Sequence, residues 1–218
     1  MIVYCPPQQD TLDILFADEY LLILNKPSGL LSVPGRGDDK QDCLITRVQR
    51  EYPEARIVHR LDMSTSGLII MARGKEMERS LSMLFQNRQV KKNYIAVVAG
   101  IMPANFGEIN LPLITDWPNR PKQKIDFTNG KASRTCYQQV SFNLEDNSSR
   151  IKLTPLTGRT HQLRIHMQSV GHAILGDELY ADESVVNKAG RLLLHASFLS
   201  FIHPEKKELV EITSVPDF

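Results

Sequence analysis

The chain has 218 residues, 42% hydrophobic and 23% charged, with a net charge of +1. Those values belong to an ordinary globular protein with a core that needs no disulfide or structural metal, and they exclude a fibrous, disordered or disulfide-scaffold chain. Cys5, Cys43 and Cys136 lie far apart and form no CxxC pair, so a reducing compartment is expected. Residues 1–10 hold Pro6, Pro7 and Asp10 without a basic stretch, which argues against a signal peptide. The longest apolar stretch, residues 94–102, falls short of the ~20 residues of a membrane helix. A cytoplasmic protein, not bound to membrane, is expected.

Taken in chain order, residues 20–24 form a continuous apolar run, as in a strand buried on both faces. Lys26-Pro27-Ser28-Gly29 marks the turn after it. Asp42 is placed to cap a short helix carrying Leu44, Ile45 and Val48, stopped near Pro53. A strand through residues 58–62 would put Arg60 and Asp62 on one face and His59 and Leu61 on the other. Residues 67–72 read as a second buried strand. A helix follows, with Met77, Leu81, Leu84 and Phe85 at i, i+4, i+7 and i+8. Residues 94–99 predict a further strand.

Trp117-Pro118-Asn119-Arg120-Pro121 cannot be helical through both prolines. Asn129-Gly130 is a type I′ turn signal, predicting a hairpin between a strand with Lys122 and Lys124 and one with Lys131 and Arg134. Residues 160–170 predict a helix with Leu163, Met167 and Val170 on one face and Gly171 as a left-handed C-cap. Residues 191–202 predict a core strand. Interspersed strands and helices, several joined by hairpins, favour α+β over a regular parallel α/β sheet. With no internal repeat or long linker, a single domain over residues 1–218 is expected.

The near-zero net charge hides an uneven distribution. Residues 73–92 carry six basic and two acidic groups, residues 117–134 five and one, and residues 172–218 four and eight. Such segments can build a basic face for a polyanion. Plain solvated surface is the alternative, and charge alone favours it.

Two segments carry chemistry. In His59-Arg60-Leu61-Asp62-Met63-Ser64-Thr65-Ser66-Gly67, a carboxylate two residues from a guanidinium stays ionised and can act as a nucleophile. A turn aspartate with capping neighbours is the plain alternative. In Thr157-Gly158-Arg159-Thr160-His161-Gln162-Leu163-Arg164, Arg164 lies one turn from Thr160 and His161. Its apolar neighbours would bury it, and a buried arginine needs a carboxylate. Asp62 is the candidate, with a structural acid or a surface position as the alternative. His161 and His166 are five apart, no HExxH is present, and Gly35-Arg36-Gly37 lacks the phosphate-loop frame. Neither metal nor cofactor is expected.

His59-Arg-Leu-Asp62 followed by Ser-Thr-Ser-Gly67 resembles the catalytic motif of the RluA family of pseudouridine synthases. Asn25-Lys-Pro-Ser-Gly29 with Leu30-Leu-Ser-Val-Pro34, Lys92-Asn-Tyr94, Gly158-Arg-Thr-His-Gln-Leu-Arg164 and Arg191-Leu-Leu-Leu-His195 resemble further motifs of that family, in the same order along nearly the whole chain. The segment from Asp116 to Lys124, and an N-terminus without an RNA-binding accessory module, resemble the members that modify both 23S rRNA and tRNA.

The resemblance implies a mixed, mostly antiparallel sheet in two halves with flanking helices and an active-site cleft. It implies an enzyme that isomerises hairpin-loop uridines, including one in a tRNA anticodon stem-loop, by breaking the N-glycosidic bond and rejoining the base through carbon 5. Separately from the resemblance, a monomer is expected. Asp62 would be the nucleophile, Tyr94 would stack on the flipped base, Arg164 would pair with Asp62, and Leu194 would line an apolar wall. His59 would join the substrate site. Arg60 would fill the space the base leaves, and Arg36, Arg120, Lys122 and Lys124 would hold phosphates. Three other readings compete: the same chemistry on a different tRNA uridine, a non-catalytic RNA-binding or ribosome-assembly factor, and a glycoside hydrolase. The last needs two carboxylates flanking the bond, and Asp62 has no convincing partner.

Overall fold

The computed structural model describes residues 4–8 and 11–218. Residues 1–10, read above for a leader, lie partly outside them. Strands are β1 (Ile14–Ala17), β2 (Leu21–Lys26), β3 (Ala55–Ile57), β4 (Ser66–Arg73), β5 (Lys91–Ala99), β6 (Phe106–Asn110), β7 (Leu113–Thr115), β8 (Gln123–Ile125), β9 (Arg134–Asn143), β10 (Ser148–Pro155), β11 (Leu194–Ile202) and β12 (Leu209–Thr213). Helices are α1 (Leu44–Val48), α2 (Lys75–Gln86), α3 (Gln162–Ser169) and α4 (Glu183–Val186). The fold is α+β with mixed strand pairing, as the order of predicted elements implied. Among the described residues, no helix is long and apolar enough to cross a membrane.

The chain divides into two compact units, one running to Lys92 and taking in His195–Asp217, the other formed by Asn93–Leu194 and Phe218. In the first, β2 and β4 are antiparallel neighbours from Leu21↔Ala72 to Lys26↔Gly67. Leu21–Leu24 and Leu68–Ala72 are fully buried, so both apolar runs are core strands. Met77 and Leu81 bury the apolar face of α2. The second edge of β4 is shared. β11 pairs parallel at Ser66 and Gly67, and β3 pairs antiparallel from Met71 to Arg73.

In the second unit β5, β10, β9 and β6 lie side by side, all antiparallel. Ala96, Val98, Ile151 and Leu153 face Leu163 and Met167 of α3 in one apolar cluster. β7 and β8 form a small separate hairpin.

Four local expectations are corrected. Asp42 does not cap α1. Cys43 holds that position, and Asp42 instead takes both Nε and a terminal nitrogen of Arg47 at 2.8 and 2.7 Å. Residues 58–62 are not a strand, because β3 ends at Ile57 and irregular backbone follows.

Lys122 and Lys124 are not hairpin partners of Lys131 and Arg134. β8 pairs back onto β7, and the Asp126 carboxylate accepts the N–H groups of Thr128 and Asn129 in a turn that closes from Gly130 N–H to the Asp126 carbonyl. A Cβ on Gly130 would lie 2.2 Å from that carbonyl oxygen, so the glycine answers to close approach rather than to a type I′ turn. Finally, α3 starts at Gln162 rather than Thr160, with His161 left-handed at its N-cap (φ 54°). Gly171 does take the left-handed conformation that its C-cap role requires (φ 84°).

Candidate active site

Asp62 sits half-buried in the irregular segment between β3 and β4. The alternation expected of a strand survives there without strand pairing: Arg60 points to solvent and Leu61 is buried. His59 turns inward. Its Nε2 accepts the Ile70 N–H at 2.8 Å, and its ring stacks on Phe85 of α2 at 4.4 Å. The imidazole thus takes a β4 amide that β3 ends too early to reach. Burial, and then the nearby Lys92 charge, pull its pKa down to about 3, so the ring stays neutral and keeps the lone pair that Ile70 needs.

The segment after β2 holds this loop. Lys26, fully buried, donates from Nζ to the carbonyls of Pro27 (2.8 Å), Leu30 (2.7 Å) and Met63 (3.0 Å), which fills all three donor positions of an ammonium. Ser28 Oγ donates to the Ser64 carbonyl at 2.7 Å, and Gly29 N–H donates to Met63 at 2.9 Å. Ser32 Oγ donates to the Leu61 carbonyl at 2.8 Å and accepts the Leu61 N–H at 3.1 Å. Backbone atoms on both sides of Asp62 are therefore bonded to residues 26–32. Burial lowers the Lys26 pKa to about 7, opposed by the negative charge of Asp62. The Lys-Pro-Ser-Gly segment was legible as a turn, but its work as a clamp on the Asp62 loop was not.

At the far end of the loop, Ser66 Oγ bonds His195 Nδ1 at 2.9 Å, and His195 Nε2 bonds Ser214 Oγ at 3.0 Å. A Cβ on Gly67 would lie 2.3 Å from the Ala196 carbonyl oxygen, and Gly67 has φ 107°, so glycine alone lets β11 approach here.

In the second unit, Arg164 is buried in α3. Its Nε and a terminal nitrogen donate to Asp177 at 2.9 and 2.6 Å. Within this unit the gripping carboxylate is thus Asp177, which sequence reasoning did not name. Its one advance signal was an acid directly following the apolar Ile174-Leu175-Gly176. Asp177 Oδ1 also accepts the N–H groups of Leu179 and Tyr180. The Arg164 guanidinium lies 5.2 Å from the Tyr180 ring centroid. Tyr180 Oη accepts the Gln123 N–H at 2.8 Å and shares a hydrogen bond with His161 Nδ1 at 2.7 Å. Gln162 braces the start of α3, donating to the Arg134 carbonyl and accepting the Arg159 N–H. Tyr94, opposite Leu153 on β5, packs against the apolar cluster that contains Leu194 and Leu163. The structure thus brings Tyr94, Leu194 and α3 onto one core.

The candidate phosphate contacts are all exposed: Arg36 beside a 3-10 turn, and Arg120, Lys122 and Lys124 on the β7–β8 hairpin.

The family of RNA pseudouridylate synthases matches residues 20–169, and the chain belongs to that family. It is an RNA pseudouridine synthase, an isomerase. The dual-specificity RNA pseudouridine synthase RluA of Escherichia coli K12 is 48% identical over 215 residues, covering 99% of this chain and 98% of that protein. The protein of the same name from Vibrio cholerae is 50% identical, covering 100% and 88%. Among solved structures, human RNA pseudouridylate synthase domain containing 1 is 29% identical with a TM-score of 0.81, covering 98% of this chain and 87% of that one.

Proposed function

We propose that the chain isomerises specific hairpin-loop uridines to pseudouridine in two RNA classes, 23S rRNA and a tRNA anticodon stem-loop, with Asp62 as nucleophile. The observation that carries the catalytic reading is the clamp of residues 26–32 on the backbone around Asp62. A nucleophile that must meet one carbon of an extruded nucleotide gains from being held in place before the substrate arrives. Flipping the uridine costs a few kcal/mol, and stacking on Tyr94 offsets about 1–3 kcal/mol of that. Arg164, fixed by Asp177, serves Asp62 as its cationic partner, and Leu194 contributes apolar wall beside Tyr94.

Arg60, exposed two residues before Asp62, enters the gap the base leaves. His59 supports the site by fixing the segment that carries Arg60 and Asp62. Arg36, Arg120, Lys122 and Lys124 hold phosphates, an electrostatic grip that reads no sequence by itself. Two RNA targets suit a protein that recognises a folded loop by shape, and the names of the bacterial relatives support dual specificity. The enzyme works as a cytoplasmic monomer without metal or cofactor.

The test is to map pseudouridine in 23S rRNA and tRNA from a strain lacking the gene, restored with the wild type or with Asp62→Asn. Sites lost in both RNA classes and restored by the wild type alone are expected. Loss in one class overturns dual specificity, and restoration by Asp62→Asn overturns the role of Asp62.

A further inference from the structure

The β7–β8 hairpin ends in a tip that the phosphate contacts do not explain. Trp117 is the only tryptophan in the chain and is 66% exposed. An indole that large is normally mostly buried, and leaving it in water forgoes its hydrophobic stabilisation. The Arg120 guanidinium lies 4.5 Å from its ring centroid, which holds the indole by a cation–π contact and places a positive charge on one of its faces.

The tip is tightly built. Asn119 N–H donates to the Asp116 carbonyl, Asn119 Nδ2 to the Asp116 carboxylate, Lys122 N–H to the Asn119 carbonyl, and Asp116 N–H to the Lys122 carbonyl. Tyr180 Oη anchors it by taking the next amide, Gln123 N–H, at 2.8 Å. Asp116 and Asp126 both turn their carboxylates onto groups of their own loops, whereas Arg120, Lys122 and Lys124 stay exposed.

We propose that Trp117, backed by Arg120, is a stacking platform for an unpaired base of the substrate RNA loop, separate from the base that is isomerised. This rests on the RNA-modifying function proposed above and adds a contact to it. A rigid, exposed aromatic among cations matches how single-stranded nucleic acid is held, with bases stacked on rings and phosphates beside ammonium and guanidinium groups. The occupant is RNA rather than protein because the flanking groups are cationic and the enzyme's substrate is a polyanion. Tyr180 gives the platform a fixed relation to Arg164, since its hydroxyl holds Gln123 and its ring faces the guanidinium.

The lone tryptophan supplies its own probe. An unmodified anticodon stem-loop hairpin is titrated into the full chain, and indole emission and its quenching by acrylamide are followed alongside anisotropy of labelled RNA. RNA binding is expected to lower the emission and shield the indole from acrylamide. Trp117→Ala is expected to weaken RNA binding roughly tenfold without changing the slope of log affinity against log salt, because stacking releases no counterion. Trp117→Phe should restore most of the affinity. RNA binding that leaves emission and acrylamide access unchanged overturns the platform, as does Trp117→Ala binding as tightly as the wild type. Wild-type protein that fails to bind RNA or to form pseudouridine overturns the underlying function as well, and the wild-type arm alone reveals that result.

Discussion

The loop around Asp62 and the tip of the β7–β8 hairpin are built by opposite means. The loop closes one turn of its own, Thr65 N–H to the Asp62 carbonyl, and otherwise takes its order from outside: a buried ammonium and two serine hydroxyls bond its carbonyls from residues 26–32. The tip ties its own backbone together and leans outward through one tyrosine contact, leaving its indole and cations in solvent. The first arrangement suits chemistry, because a reacting group is fixed by neighbours that cannot themselves move. The second suits grip, because a polyanion must reach the charges and the ring without displacing anything.

Changes behind the fixed groups should cost stability and turnover together, and changes at the tip should cost affinity alone. The largest stability effect is expected at Asp177. Asp177→Ala removes the carboxylate that takes two nitrogens of the buried Arg164 guanidinium and two amides, so denaturant unfolding should show a loss of about 3–5 kcal/mol. Lys26→Met keeps the volume of the side chain but takes the ammonium donor from three carbonyls, of which Met63 keeps the Gly29 N–H. A loss of about 1–3 kcal/mol is expected, with turnover falling at least about tenfold as the Asp62 loop loosens. Equal loss of affinity and no loss of turnover would show that the clamp serves binding instead.

His59 gives a smaller effect with a definite pH window. Its folded pKa of about 3 lies below the ordinary value of 6.5, so between those values the unfolded chain binds the proton more tightly. Stability is full above about 6.5 and falls as pH drops through the window. By pH 5 the wild type should have lost about 1–2 kcal/mol more than His59→Gln, read from denaturant midpoints at pH 7 and 5. The smallest stability change is expected at the hairpin, where Lys122→Ala with Lys124→Ala should stay within about 0.5 kcal/mol of wild type. The same pair should flatten the salt dependence of RNA binding by about 0.7–0.9 per lost phosphate contact.

The sequence was most readable where burial acts on one element at a time. The apolar runs of β2 and β4 and the i, i+4 spacing of Met77 and Leu81 needed no tertiary information. It was least readable where a side chain replaces backbone. Nothing local shows that His59 would take the Ile70 amide and so end the need for a strand at 58–62. A lysine at a strand end reads as surface, and only the folded chain brings three carbonyls around Lys26. Asp177 lies in an acidic stretch and reads as one more surface acid until α3 delivers Arg164 to it. Asn129-Gly130 misled because the Asp126 carboxylate offered nearby amides a better partner than a type I′ turn. The Asp62 motif was visible from residue order, whereas the groups that immobilise it came into view with the fold.

The most direct test of Asp62 as nucleophile is a single-turnover pseudouridine assay on an anticodon stem-loop hairpin, run beside RNA binding for wild type and Asp62→Asn. Since amide and carboxylate are nearly equal in size, the variant should bind RNA within a few-fold of wild type and form pseudouridine at least about a thousandfold more slowly. Turnover within tenfold of wild type would contradict the account.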